Sequence, residues 1–200
     1  MDGVLVDARD WHYEALNMAL KPFGIPIERE SHLTTYDGLS TRQKLKMLEK
    51  THALDSGLHS FINDLKQKHT HELVMTRCHP TFHHRYLLSR LKVEGYKLAL
   101  CSNSVRQSVD LIMEQAQLSD FFEFKLSNED VEAPKPDSEI YDKAIKALSL
   151  KPGECLIVED NINGIIAAKA SGAYVLEVTH PDHVTYQAVV DAIIKVEGEK

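Results

Sequence analysis

A chain of 200 residues, 43% hydrophobic and 26% charged, is long enough for one sizeable core and a smaller satellite domain, and this composition excludes a fibrous or disordered protein. A net charge of -7 with no dense Lys/Arg block argues against a nucleic-acid binder, so an anionic ligand must be held locally. Three scattered cysteines give neither a disulfide framework nor a zinc site, and no apolar run approaches the roughly 20 residues that span a bilayer. A reduced cytoplasmic protein with no membrane contact is expected. In chain order, Met1 to Asp7 reads as the end of a buried strand turning into a loop. Trp11, Ala15, Leu16, Ala19, Leu20 and Phe23 then recur at helical spacing, with Gly24 as a stop. Residues 39–48 read as a helix capped by Ser40 or Thr41, and residues 56–74 as one burying Leu58, Phe61, Ile62 and Leu65. Pro80 opens a helix carrying Phe82, Tyr86, Leu87, Leu88 and Leu91, closed by Gly95.

From Tyr96 the pattern changes. Residues 96–101 form a short apolar run suited to a central parallel strand, and strand and helix then alternate. Ser104 is expected to cap a helix through Val109, Ile112 and Met113. Residues 121–126 suggest a strand, Asp137 starts another helix, and Cys155 to Val158 is the clearest strand. A helix from Ile162 stops at Gly172, a strand runs from Ala173 to Val178, and a last helix covers about residues 184–196. The predicted fold is α/β, a doubly wound parallel sheet formed by residues 1–8 and 79–200, with residues 9–78 inserted as a helical cap.

Ligands of open parallel sheets bind at the carboxyl ends of the strands. Four polar groups fall there: Asp2, Ser102-Asn103-Ser104, Lys135-Pro136 and Glu159-Asp160-Asn161. A Ser/Asn cluster after a strand is commonly a helix cap, and a Lys before Pro commonly a solvated loop residue. Two adjacent acids at a strand end are more telling. They repel unless something cationic neutralises them, and Mg²⁺ with hard oxygen ligands does so.

The order of these groups, acid, Ser, Lys and paired acids, resembles the four motifs of the haloacid dehalogenase superfamily over essentially the whole chain. Asp2-Gly3-Val4-Leu5-Val6-Asp7 is similar to the second half of its opening signature, and Val158 to Ile165 to its fourth motif. The cap resembles that of the subfamily containing β-phosphoglucomutase and phosphoglycolate phosphatase, through Asp7, His12 and Tyr36-Asp37-Gly38-Leu39-Ser40. The resemblance implies phosphoryl transfer through an aspartyl-phosphate whose nucleophile would precede Met1. Asp2 would then be the general acid and base, and its backbone carbonyl a Mg²⁺ ligand. Ser102, or its backbone with Asn103, would hold the phosphate. Lys135 would neutralise developing charge, and Asp160, with Glu159 directly or through water, would bind the metal. A protein beginning at Met1, without the strand that carries the nucleophile, is expected to be inactive and poorly folded, with the middle of its sheet open.

The cap selects the substrate. Thr41, Arg42 and Lys68 are candidates for a second anionic or hydroxyl group, against the alternative of a solvated helix face, and His12 is placed near the substrate by the resemblance. The histidines at 69, 71, 79, 83 and 84 lack the acidic or cysteine partners of a metal site. The expected function is a Mg²⁺-dependent phosphatase of a small phosphorylated metabolite, a sugar phosphate, in a monomer or weak homodimer. The alternatives are a mutase of the β-phosphoglucomutase type and a non-catalytic binding protein on the same fold. A phosphoacceptor receiver domain shares the chemistry but has no long helical insertion after its first acid.

Overall fold

The computed structural model describes residues 1–52 and 54–198, so the last two residues of the predicted core lie outside it. The element order is α1 (Arg9–Leu20), α2 (Arg29–Ser31) with a wide helical turn to Tyr36, α3 (Thr41–His52), α4 (His59–Arg77), α5 (Phe82–Val93) and β1 (Ala99–Cys101). There follow α6 (Arg106–Gln115), β2 (Phe124–Leu126), α7 (Glu139–Ala147), β3 (Leu156–Glu159), α8 (Ile162–Ala170), β4 (Tyr174–Glu177) and α9 (Tyr186–Gly198). No described helix is long and apolar enough to cross a membrane.

The doubly wound arrangement follows from the alternation of side chains along the strands. Leu100, Leu156, Val158 and Leu176 pack with Leu87, Leu91, Ile112, Met113 and Val189 of α5, α6 and α9. Their neighbours Cys101, Ile157 and Val175 point the other way, onto Ile140, Tyr141, Ala167 and Ala168 of α7 and α8. Because both faces are covered, the strands are mostly apolar, with Lys125, Glu159 and Glu177 as their charged residues. They form two parallel pairs, β1 with β2 and β3 with β4, in registers that set Ala99 opposite Phe124 and Leu156 opposite Tyr174. Between β1 and β3 runs an apolar cleft of about 330 Å³, to which Met1, Val4 and Leu5 contribute.

The cap helices build a second core. Leu16, Ala19 and Leu20 of α1 meet Leu45 and Leu48 of α3 and Ile62 of α4, all at most 1% exposed. Helix α3 begins with a capping box: Gln43 N donates to Ser40 Oγ at 3.3 Å, and Ser40 N donates to Gln43 Oε1 at 2.9 Å. The far end of α4 belongs to the other core, through Val74 and Cys78.

Three expectations about helix faces need correction. Phe61 is 55% exposed and meets Phe23 edge-on, because the buried stripe of α4 is Ile62, Lys66, Thr70 and Val74. Phe82 and Tyr86 stack on each other at the surface, while His84 takes the buried position of that helix. Ser104 caps nothing: α6 starts after Val105 without a side-chain cap, and Ser104 turns elsewhere.

Candidate functional site

Where the carboxyl ends of β1 and β3 face the cap, a cleft of about 130 Å³ collects most of the predicted polar residues. Asp2, His12, Thr41, Ser102, Asn103, Lys135, Glu159 and Asp160 all line it. Arg42 and Lys68 do not. Each lies two positions from a lysine that does, Lys44 or Lys66, and two residues along a helix is about 200° around its axis. Composition made any cap cation a candidate, and only the buried stripe of each helix selects among them.

Asp2 sits at the mouth of the Gly3 turn. Ser104 Oγ donates to its Oδ2 at 3.2 Å, and His12 Nε2 lies 3.3 Å from Oδ1, close but not aligned as a hydrogen bond. Burial pushes the carboxyl up, but His12, the Met1 ammonium and the Ser104 hydroxyl outweigh it and hold Asp2 at about 2. His12 is buried and kept neutral, its pKa lowered despite Asp2. Lys66 Nζ is 3.2 Å from His12 Nδ1, and an ammonium can only donate, so the ring proton belongs on Nε2, facing Asp2.

Lys135 is 6% exposed and forms a buried ion pair with Glu159. Its Nζ also reaches Tyr141 Oη at 2.7 Å and Cys101 O at 3.2 Å. Burial raises Glu159, yet the ammonium beside it holds the carboxyl below the usual range. The Glu159 carboxylate is thus engaged through Oε1 by Lys135 and Tyr141. Gly164 permits this, since a Cβ there would fall 2.3 Å from the Glu159 carboxyl.

Ser102 N donates to Leu126 O at 2.9 Å within the sheet, which leaves the hydroxyl as the free donor. The Asn103 side chain is structural: its Nδ2 donates to Lys135 O at 3.2 Å and Gly38 O at 3.3 Å, and its Oδ1 accepts from Lys135 N at 3.1 Å.

Asp160 lies against the opening turn, where a Cβ on Gly3 would meet its Oδ2 at 1.9 Å. Burial and the adjacent Glu159 raise its pKa, and Arg9 Nη2 pairs with it at 2.9 Å. Arg9 also stands 3.7 Å from Asp37 of the cap, which accepts from Asn161 Nδ2 at 3.0 Å. Sequence reading missed Arg9, Lys44, Lys66 and Ser104. Only Ser104 carried a signal, inside a cluster already singled out.

A family model described as haloacid dehalogenase-like hydrolase matches residues 1–178. The phosphorylated carbohydrates phosphatase of Thermotoga maritima is 26% identical over 175 residues, 86% of this chain and 79% of that one. Pyrophosphatase PpaX of Bacillus thuringiensis is 34% identical over 85 residues, which span 42% of this chain and 39% of the relative. Among solved structures, β-phosphoglucomutase of Clostridium difficile superposes with a TM-score of 0.83 at 20% identity, covering 97% of this chain and 94% of that one, and so shares the fold.

Proposed function

Since the chain belongs to the haloacid dehalogenase-like hydrolases, we propose that it is a Mg²⁺-dependent phosphatase of small phosphorylated metabolites, specifically sugar phosphates. The observation that carries this reading is that Asp2, Ser102, Lys135 and Asp160, from distant parts of the sequence, share one cleft. The cap, residues 9–78, closes that cleft and chooses the substrate, while residues 1–8 and 79–200 carry the chemistry.

The donor set suits Mg²⁺, which keeps several waters and takes one or two carboxylates plus phosphate oxygens. Among the described residues no three His, Cys, Asp or Glu side chains form a cage. Asp160 is a desolvated carboxyl beside a second acid and against the Asp2–Gly3 backbone, so a cation there relieves its burial. Asp160 and the Asp2 carbonyl would hold the ion, which would screen carboxylate from phosphate.

This route needs a carboxylate nucleophile, which the family resemblance implies. The Ser102 hydroxyl donates to the transferring phosphoryl group, and Lys135 offsets the charge that gathers on its oxygens. Asp2 as it stands is ionised and fits the base that activates water. To act first as the acid it must gain a proton as the anionic substrate approaches and raises its pKa. His12, with its proton on Nε2, orients that carboxylate.

A screen of phosphorylated sugars against the protein, with Asp2→Asn as control, tests the reading. Released phosphate that the control loses supports it. An isomerised product would indicate a mutase, and binding without turnover would leave a non-catalytic protein on this fold.

A further inference from the structure

On the cap side of the cleft we infer that His32 is a specificity-determining residue: its imidazole hydrogen-bonds a hydroxyl group of the substrate. This rests on the phosphatase reading above and adds a residue to which that reading gives no role.

His32 begins the wide turn that follows α2, and it lines the cleft although it is only 2% exposed. Its ring is held in place. The Tyr13 ring lies against it, 4.7 Å between centroids, and Tyr13 is itself fixed from two sides. Its hydroxyl donates to Ile27 O at 3.0 Å, and the Arg29 guanidinium stands 5.0 Å from its ring centre. Yet neither nitrogen of His32 has a hydrogen-bond partner among the described residues. Asp37 Oδ1 is 3.9 Å from Nε2, beyond hydrogen-bond reach. Burial and the nearby Lys44 ammonium lower the ring to about 4, so at pH 7 it is neutral, with one N–H to donate and one lone pair to accept.

A buried polar group left unpaired loses its water and gains no bond in exchange. A ligand in the cleft supplies that bond, and the neutrality of the ring selects its chemistry. An oxyanion accepts from the N–H but is repelled by the lone pair, and a cation meets the lone pair alone. A hydroxyl donates to one nitrogen or accepts from the other, so it meets either. Gln67 of α4 adds a second neutral group to the same cleft: Ser108 Oγ donates to its Oε1 at 2.8 Å, which leaves Nε2 buried and unpartnered. The cap lysines, by contrast, have acids of the chain to face, Lys44 with Asp37 and Asp2, and Lys66 with Asp2. A ligand without the hydroxyl strands the imidazole again, and that loss is the source of discrimination.

The test is calorimetric binding with Mg²⁺ present, in the Asp2→Asn protein so that no ester is consumed. The ligands are glucose 6-phosphate, ribose 5-phosphate, glycerol 3-phosphate, pyrophosphate and inorganic phosphate, and melting temperatures are measured without ligand. At least one of the three hydroxylated esters is expected to bind about tenfold or more tighter than phosphate and pyrophosphate. His32→Phe should remove most of that preference, change phosphate binding less than about threefold, and leave the melting temperature equal or higher, because it deletes an unpaired buried polar ring. His32→Gln, which keeps a donor and an acceptor, should retain part of the preference. A preference that survives His32→Phe, an equal loss of ester and phosphate, or a fall in melting temperature in both variants would overturn the role of His32. If phosphate binds and none of the three esters binds better, this inference alone fails; if neither phosphate nor any ester binds, the phosphatase reading fails with it.

Discussion

Gly38 of the cap loop packs so closely on Asn161 of the core that a Cβ at Gly38 would fall 2.2 Å from the Asn161 amide oxygen. That oxygen cannot retreat cheaply, because it accepts from Asn163 N at 3.0 Å as the cap of α8, while the amide nitrogen donates to Asp37. The cap is therefore seated on the fourth motif through a glycine, with Asn103 reaching the Gly38 carbonyl from the other side.

Gly38→Ala should destabilise the protein more than Gly24→Ala. Both glycines have left-handed φ, +71° and +69°, which costs an L residue about 1–2 kcal/mol. Only Gly38 has a neighbour within reach of a Cβ, and the overlap adds about 1–3 kcal/mol. Urea midpoints of the two variants measure the difference. Equal midpoints would mean that the cap does not rest on Asn161 in solution.

The Lys135–Glu159 pair is buried on both sides, so removing one partner strands the other. Glu159→Gln is expected to cost about 3–5 kcal/mol. Lys135→Met with Glu159→Gln should cost less than the sum of the single changes, by a coupling of about 0.5–3 kcal/mol in a denaturation cycle. Additive losses would show the two side chains to be energetically independent.

Acid should weaken the fold through two buried histidines. His84 is 1% exposed; its Nε2 donates to Pro181 O at 3.0 Å, so Nδ1 accepts from Thr81 Oγ1 at 2.8 Å and the ring is neutral. Burial pushes His84 down to about 4, and burial with Lys44 nearby does the same to His32. Both folded values lie below the unfolded one near 6.5, so the unfolded chain takes up protons first. Their stabilising share is complete above pH 6.5 and is lost as pH falls towards 4, by up to about 2 kcal/mol each at pH 5. His84→Gln should shrink the difference in urea midpoint between pH 7 and pH 5. An unchanged difference would exclude His84 as a source.

Arg9 and a divalent cation compete for the Asp160 carboxylate. Mg²⁺ at ten times its Kd should stabilise the protein by on the order of 1 kcal/mol, reversibly on chelation. Asp160→Asn should abolish the shift and Arg9→Gln should bring it at lower Mg²⁺. A melting temperature that ignores Mg²⁺, or a shift that survives in Asp160→Asn, would remove the metal from the proposed chemistry.

The alternation of strand and helix and the inserted helical block were legible because they are local, as are Ser102 and Glu159-Asp160 at the ends of β1 and β3, while Asp2 and Lys135 were legible through the order of the four motifs and the resemblance it carries. Asp2, Ser102, Lys135 and Asp160 could thus be named from residue type and order, and they share a cleft. The cap side was not legible. Thr41, Arg42 and Lys68 were reasonable cations and hydroxyls on the right helices, but only Thr41 faces the cleft, and Lys44 and Lys66 take the places of the other two.

What the sequence determined by itself was which chemistry the strand ends carry, because backbone period and side-chain type sit within a few residues of each other. Only the tertiary structure decided that Glu159 is bound to Lys135, that Ser104 reaches Asp2, that Arg9 joins Asp160 to Asp37, and that Lys66 reaches His12. Each of these is a pairing between residues tens of positions apart. Such a relation depends on how helices rotate about their axes when two cores pack, and a rotation is fixed by the neighbours an element buries rather than by its own residues.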